Sequence, residues 1–280
     1  VRIHQSSLRW ITPIERKNMP TTHQTALITG PTSGIGEEIA RQMAARGYHL
    51  ILVSRSAGKL ASLCKSLSKN HGVKTQYIQA DLSQPEAPET IFQEVNARGL
   101  QVDILVNNAG VQVYAPFARA DWDALQSQMR INCSALAHLT HLFLPGMLAQ
   151  NAGRILNIGS TASFAPGPNN AIYGASKAFV LSLSEAIAEE LKDSAVTVTC
   201  LCPGATDTPF ADKADLRETP LFRYMVMRAE KVAAQGIRAM ERGKRVHVTG
   251  WINKFLVFAI PLVPRRWTTK MAKWFLKRPE

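Results

Sequence analysis

The chain has 280 residues, 46% of them hydrophobic and 19% charged, with a net charge of +12. That length suits one large α/β domain or two small ones. The composition excludes intrinsic disorder, and four scattered cysteines suggest neither a disulfide scaffold nor a zinc site.

Residues 1–22 lack the apolar core of a secretory signal and carry no patterned run. They read as an extension outside the fold, or as an arm packed on it. The first apolar run, TALIT (25–29), leads into TGPTSGIGEEIA (29–40). Gly30, Gly34 and Gly36 fall in a strand-to-helix turn, where missing side chains let backbone approach a pyrophosphate at a helix N-terminus. The spacing is G-x-x-x-G-x-G and no P-loop lysine follows. A structural turn without ligand is the competing reading. Helical spacing continues over 36–47 and stops at a glycine.

The second run, YHLILVS (48–54), ends at Arg55. A carboxylate there would accept from ribose hydroxyls and select NAD, whereas an arginine suits a 2′-phosphate and hence NADP. A solvated loop arginine is the alternative. VKTQYIQ (73–79) leads to Asp81 and Leu82, and VDILVN (102–107) ends in NNAG (107–110). Asparagine side chains there can tie two strands while small residues leave room for a flat ligand. GRILNIG (153–159) brings up Ser160, VTVTCLC (196–202) ends in CPGATDTP (202–209), and KRVHVT (244–249) adds a seventh run. Two-sided, β-branched apolar runs separated by helices predict a parallel sheet covered on both faces. Cys200 and Cys202 read as buried thiols within a strand. The punctuated loops all follow carboxyl ends of strands, where open α/β sheets bind ligands.

Between the fifth and sixth strands stands YGASK (173–177). Tyr173 and Lys177 are one helical turn apart and share a face. A phenol with a pKa of about 10 is a poor acid or base at neutral pH, and a nearby cation pulls it down. By itself the pair is also an ordinary surface pair. His138 and His141 have no third ligand nearby and read as ordinary exposed or core histidines. Asp121 and Asp123 read as helix-start acids.

Taken in order, T-G-x-x-x-G-I-G, N-N-A-G, a helix asparagine, S-x12-Y-x-x-x-K and P-G-x-x-x-T between Thr25 and Thr249 resemble the short-chain dehydrogenase/reductase family. L-V-S-R-x-x-x-K-L (52–60) and the basic apolar tail resemble, more nearly, its ketoacyl reductase and hydroxysteroid dehydrogenase-like branch. The resemblance implies one doubly wound, Rossmann-type α/β domain over 23–250 with a parallel seven-stranded sheet. It implies a catalytic set of Asn132, Ser160, Tyr173 and Lys177. Tyr173 would protonate a carbonyl oxygen with its pKa lowered by Lys177, Ser160 would bond that oxygen, and Asn132 would hold a water linking Lys177 to solvent. Cofactor contacts would come from Gly30, Thr32, Ser33, Gly34, Ile35 and Gly36 at the pyrophosphate, and from Arg55. Asp81 and Leu82 would flank the adenine, followed by Asn108, Ala109 and Gly110. Tyr173 and Lys177 would meet the nicotinamide ribose, and Pro203, Gly204 and Thr208 the carboxamide end.

The expected activity is NADP-dependent interconversion of a carbonyl and a secondary alcohol on a small-to-medium hydrophobic substrate, acyl-chain or steroid-like. Phe164, Phe210, Leu216, Leu221, Phe222, Tyr224, Met225 and Met227 are the apolar candidates to cover it, with plain helix packing as the competing reading. A non-catalytic NADP-binding regulator is the alternative, and an epimerase a lesser one. The resemblance also implies a homodimer or homotetramer.

From Lys231 onward, twelve basic residues face two acidic ones. The last segment, 251–280, is a basic amphipathic extension. Asn253, Lys254, Pro261 and Pro264 interrupt its apolar part, which is too short to span a bilayer. From Arg265, the residues Trp267, Met271, Trp274 and Phe275 fall on one helical face beside a stripe of Arg266, Lys270, Lys273 and Lys277. Leu276 and Arg278 break the pattern. Two readings stay open: the apolar stripe rests on an anionic membrane surface, or it packs on the domain or a partner subunit. The expectation is a cytoplasmic protein with peripheral membrane contact. Nucleic acid is not an expected partner, because the tail carries no recognition module.

Overall fold

The alternation of apolar side chains along the first strands decides how the sheet is covered. A computed structural model describes residues 24–213, 217 and 219–275. In β1 (Thr25–Thr29), Ala26 and Ile28 enter one core while Leu27 enters the other. β2 (His49–Ser54) repeats the division, with Leu50 and Leu52 on one side and Ile51 and Val53 on the other. Residues two apart share a face, so a strand apolar at every position must be covered twice.

The first core takes α1 (Gly34–Ala45), α2 (Ala57–His71) and, later in the chain, the helix Ala229–Glu241. Then follow β3 (Thr75–Gln79), α3 (Ala87–Ala97), β4 (Ile104–Asn107), α4 (Trp122–Met129), α5 (Leu136–Ala149), β5 (Gly153–Ile158), α6 (Ala171–Glu190) and β6 (Val196–Cys202). Ile91 and Val95 of α3, Phe143 and Met147 of α5 and Ala188 of α6 build the second core. The chain continues through β7 (Thr206–Asp207), α7 (Pro209–Lys213), α8 (Pro220–Met225), β8 (Met227–Arg228), α9 (Ala229–Glu241), β9 (Val246–Val248), α10 (Trp251–Ala259) and α11 (Arg265–Phe275).

The main sheet has seven strands in the order β3-β2-β1-β4-β5-β6-β9, all neighbours parallel. β7 and β8 form a separate two-stranded pair. Strand order reverses between β1 and β4, and that switch point opens a crevice at the carboxyl edge. The seven apolar runs are therefore the seven strands, trimmed by one or two residues at several ends. Cys200 and Cys202 are buried free thiols as expected, with sulfurs 3.7 Å apart. Asp121 caps α4, accepting from the Ala124 N–H at 3.2 Å. The extension expected over 1–22 lies outside the described residues, as do Leu216, Leu276, Lys277, Arg278 and the side chains of Leu221 and Tyr224.

Candidate active site

The turn after β1 is held open by its own backbone. Gly30 and Gly34 have φ of +66° and +59°, a region that favours glycine. A Cβ on Gly36 would stand 2.2 Å from Asn108 Nδ2 and 2.3 Å from the Gly30 carbonyl oxygen. Asn108 explains the crowding: its Nδ2 donates to the Thr29 and Gly30 carbonyls, each at 3.0 Å. The Thr29 hydroxyl in turn accepts from the Asn108 and Ala109 N–H groups. The end of β4 is thus laced to the end of β1. Ser33, at the N-cap of α1, makes no side-chain cap bond. The first N–H groups of α1 keep their capacity for an anion. Backbone that close, with an uncapped helix end, fits a pyrophosphate.

On the other flank, β5 delivers Ser160 at the start of a tight turn. The Ala162 N–H donates to Ser160 Oγ at 3.1 Å, and the Thr161 N–H donates to the Pro203 carbonyl at 2.8 Å. Ser163 Oγ donates to the Lys177 carbonyl at 2.7 Å, which fixes this turn against α6. α6 supplies Tyr173 and Lys177 from one face. The Lys177 ammonium is buried, donates to the Ile158 carbonyl at 2.7 Å, and lies 5.8 Å from the Tyr173 ring centroid.

Electrostatics here depart from the expectation. Burial pushes the Tyr173 phenol up to about 12, and the hydrogen bond with Ser160 is what pulls it back. The Lys177 ammonium is itself turned to the Ile158 carbonyl, and burial brings its own pKa down to about 8.

Asn132 sits in a short π-helical stretch, Arg130–Ala135, between α4 and α5. Its side chain is fully engaged. Oδ1 accepts from the Val111 N–H, and Nδ2 donates to the Val111 carbonyl and to Ser176 Oγ. Ser176 Oγ then donates to the Tyr173 carbonyl at 2.7 Å. Asn132 is therefore coupled to Tyr173 through one serine.

All the candidate site residues except Gly36 and Asn132 line a single cleft of about 730 Å³. Those two lie behind its wall, Gly36 against Asn108 and Asn132 against Val111. Arg55 is exposed at one end, and Lys59, one turn into α2, joins it there. Lys59 was not among the expected cofactor contacts, although its spacing from Arg55 is readable in the sequence. At the other end Phe210 meets Tyr173, ring centroids 6.0 Å apart, and Phe222 and Met225 also line the cleft. Phe164 does not: it packs on the core of Leu136, Val180 and Cys200. Met227 likewise packs on the first core. No group of three or more metal-ligating side chains occurs among the described residues.

The tail contributes to the cleft wall. Leu256 and Ile260, and Met271 and Phe275 of α11, form part of its wall. Asn253 anchors them, its Nδ2 donating to the Thr249 carbonyl at 2.8 Å while its amide fills the space beside Gly204. The sequence showed Asn253 only as a break in an apolar run.

A doubly wound sheet with a glycine turn at its switch point, facing a Ser, Tyr and Lys across one cleft, defines a dinucleotide-binding α/β protein. Residues 24–219 match the short chain dehydrogenase family, and the chain belongs to it. It is 39% identical over 180 residues to a very-long-chain 3-oxoacyl-CoA reductase of Phaeosphaeria nodorum, covering 63% of this chain. That stretch is 53% of the reductase, so the match spans about half of that protein's length. It is 33% identical over 223 residues to hydroxysteroid dehydrogenase-like protein 1 of Gallus gallus, covering 79% of this chain and 66% of that one. Among solved structures, a short-chain dehydrogenase from Sphingobium yanoikuyae in complex with NADPH superposes with a TM-score of 0.76 at 30% identity. The superposition covers 84% of this chain and 92% of the other.

Proposed function

We propose that the protein is an NADPH-dependent oxidoreductase that interconverts a carbonyl and a secondary alcohol on an apolar substrate. One observation carries this reading: Ser160 and Tyr173 share the cleft that the uncapped N-terminus of α1 and the Arg55–Lys59 pair enter from the other end. NADPH, when bound, supplies the hydride. The chain's residues do the rest. Tyr173 gives its proton to the substrate oxygen, and in the reverse direction its phenolate takes one back. Ser160 Oγ donates to the same oxygen and stabilises charge developing there. Lys177 is the cation 5.8 Å from the ring centroid, with a pKa near enough to neutrality to accept and release a proton. Asn132 positions Tyr173 through Ser176, and a relay water would have to be held by its backbone rather than its occupied amide.

The apolar wall of Phe210, Phe222 and the tail suits an acyl chain or a fused-ring skeleton. The names of the two relatives fit that class. Exposed Trp122 of α4 and Phe179 of α6 suit burial in a homodimer or homotetramer. The reading is tested by following NADPH oxidation with a panel of 3-oxoacyl thioesters and steroid ketones. Turnover of none of them, by a protein that binds NADPH, would favour a regulator. Arg55→Ala should weaken NADPH by about tenfold while leaving NADH unchanged. Equal affinity of the unmutated protein for both cofactors would remove the argument for NADP.

A further inference from the structure

The C-terminal helices have two faces, and the cleft accounts for one of them. On the other face of α10, Trp251, Phe255 and Phe258 recur at helical spacing and are 78%, 66% and 71% exposed. Leu262, in the turn between the helices, is 76% exposed. On α11, Trp267 and Trp274 also stand in solvent. So many large apolar side chains left in water in one short segment mark an interaction surface. Packing of the tail on the domain buries Asn253 and Thr268, half-buries Leu256, Val257, Ile260 and Phe275, and leaves these outside.

Their surroundings carry charge of one sign. Lys254, Arg265, Arg266, Lys270 and Lys273 lie on the same two helices, and the sequence has no acidic residue between Arg242 and Pro279. None of the five pairs with a carboxylate among the described residues. The Lys270 ammonium lies 5.9 Å from the centroid of the Trp267 ring. Indole and phenyl rings interleaved with unpaired ammonium and guanidinium groups suit the headgroup level of an anionic bilayer: rings enter the interface while cations meet phosphates. A second copy of the same face would bring like charges together. No helix among the described residues is long and apolar enough to cross a membrane, so the fit is to a surface.

We propose that α10 and α11 are a docking face for an anionic bilayer, and that the cleft they wall takes its substrate from the lipid phase. The second clause rests on the proposed oxidoreductase function; the docking does not. The test is flotation of the full chain with vesicles of phosphatidylcholine, alone or mixed with phosphatidylserine. The protein should float with the mixed vesicles, and salt should release it. Replacing Trp251, Phe255 and Phe258 together by serine should weaken binding roughly a hundredfold. Lys270→Gln combined with Lys273→Gln should weaken it by about thirtyfold. None of these five side chains lines the cleft, so an unchanged thermal midpoint and unchanged NADPH affinity would show that the variants remain folded. Intact protein left unbound at low salt overturns the docking. Binding that survives both variants overturns its assignment to these helices. If the serine variant instead turns an oligomer into a monomer by light scattering, and intact protein ignores vesicles, the face is an interface between copies and the proposal fails. Protein that floats with vesicles but turns over no carbonyl would leave docking standing and sink the catalytic reading alone.

Discussion

At the β1–β4 end of the cleft, Gly36 and Asn108 fit around the Gly30 carbonyl with no room for one more carbon. At the tail end, Leu256, Ile260, Met271 and Phe275 reach the same cleft from a helical unit tied down at Asn253. The first wall is backbone and buried hydrogen bonds. The second is flexible apolar side chains on helices with few polar anchors. Backbone that is crowded on every side tolerates one shape of ligand, whereas unbranched or flexible side chains such as methionine and leucine tolerate many. The contrast suits a protein whose cofactor is fixed and whose substrate must be accommodated.

Tyr173 stands where the two walls meet, so its removal gives the largest effect. Tyr173→Phe should lower kcat by roughly a thousandfold, because it deletes the proposed proton donor and little else. NADPH affinity, read by fluorescence titration, should stay within a few-fold. Near-normal turnover would break the assignment of the acid. Next comes Gly36→Ala. The added methyl meets a backbone oxygen that cannot step aside, so stability should fall by about 3 kcal/mol and NADPH binding should weaken with it. Denaturant unfolding checks the first effect. A neutral outcome would show that the backbone wall yields as readily as the tail.

The same contrast decides what the sequence discloses. The strands were legible because two-sided β-branched runs permit little else. The glycine turn, NNAG, Ser160 and the YGASK helix were legible because backbone chemistry demands particular residues at particular spacings. The tail's helical order was legible too, but periodicity says which residues share a face and not which face is covered. Phe164 follows Ser160 in sequence, yet it turns into the core of Val180 and Cys200, a choice set by the tight turn at Thr161–Ser163. The Tyr–Lys pair was found by spacing, but its electrostatics depend on burial and on the Ile158 carbonyl, neither of which spacing encodes.

Lys177 makes that last point measurable. Burial lowers its folded value to about 8 from an ordinary 10.5. Between those values the unfolded chain binds more protons, so stability rises with pH through that window; below it the penalty for a buried cation is fully present. Tyr173 acts oppositely and later. Its folded value of about 12 exceeds the ordinary 10, so stability falls as pH climbs between them. Lys177→Met, similar in volume but uncharged, should therefore be more stable than the parent by roughly 2 kcal/mol at about pH 7, with the gap closing by about pH 10. Activity should be lost. Urea unfolding of both proteins at the two pH values checks it. A variant less stable than its parent at the lower pH would mean that the bond to Ile158 outweighs desolvation.

The smallest effect should fall on the second wall. Asn253 is buried in α10, donates to the Thr249 carbonyl and presses on Gly204. The Thr249 N–H donates to the Cys202 carbonyl, so this one amide links the tail to the end of β6. Asn253→Ala removes the link and leaves a carbonyl short of its donor, a loss of about 1 kcal/mol. Because α10 carries Leu256 toward the cleft, loosening it should raise KM for a bulky apolar substrate several-fold while leaving NADPH affinity unchanged. Asn253→Gln, with the same donor on a longer arm, should clash at Gly204 and fail to rescue KM. Steady-state kinetics beside an NADPH titration separates the outcomes. If NADPH affinity drops in step with KM, the tail helps to hold the cofactor through Gly204, and the two walls act as a single unit.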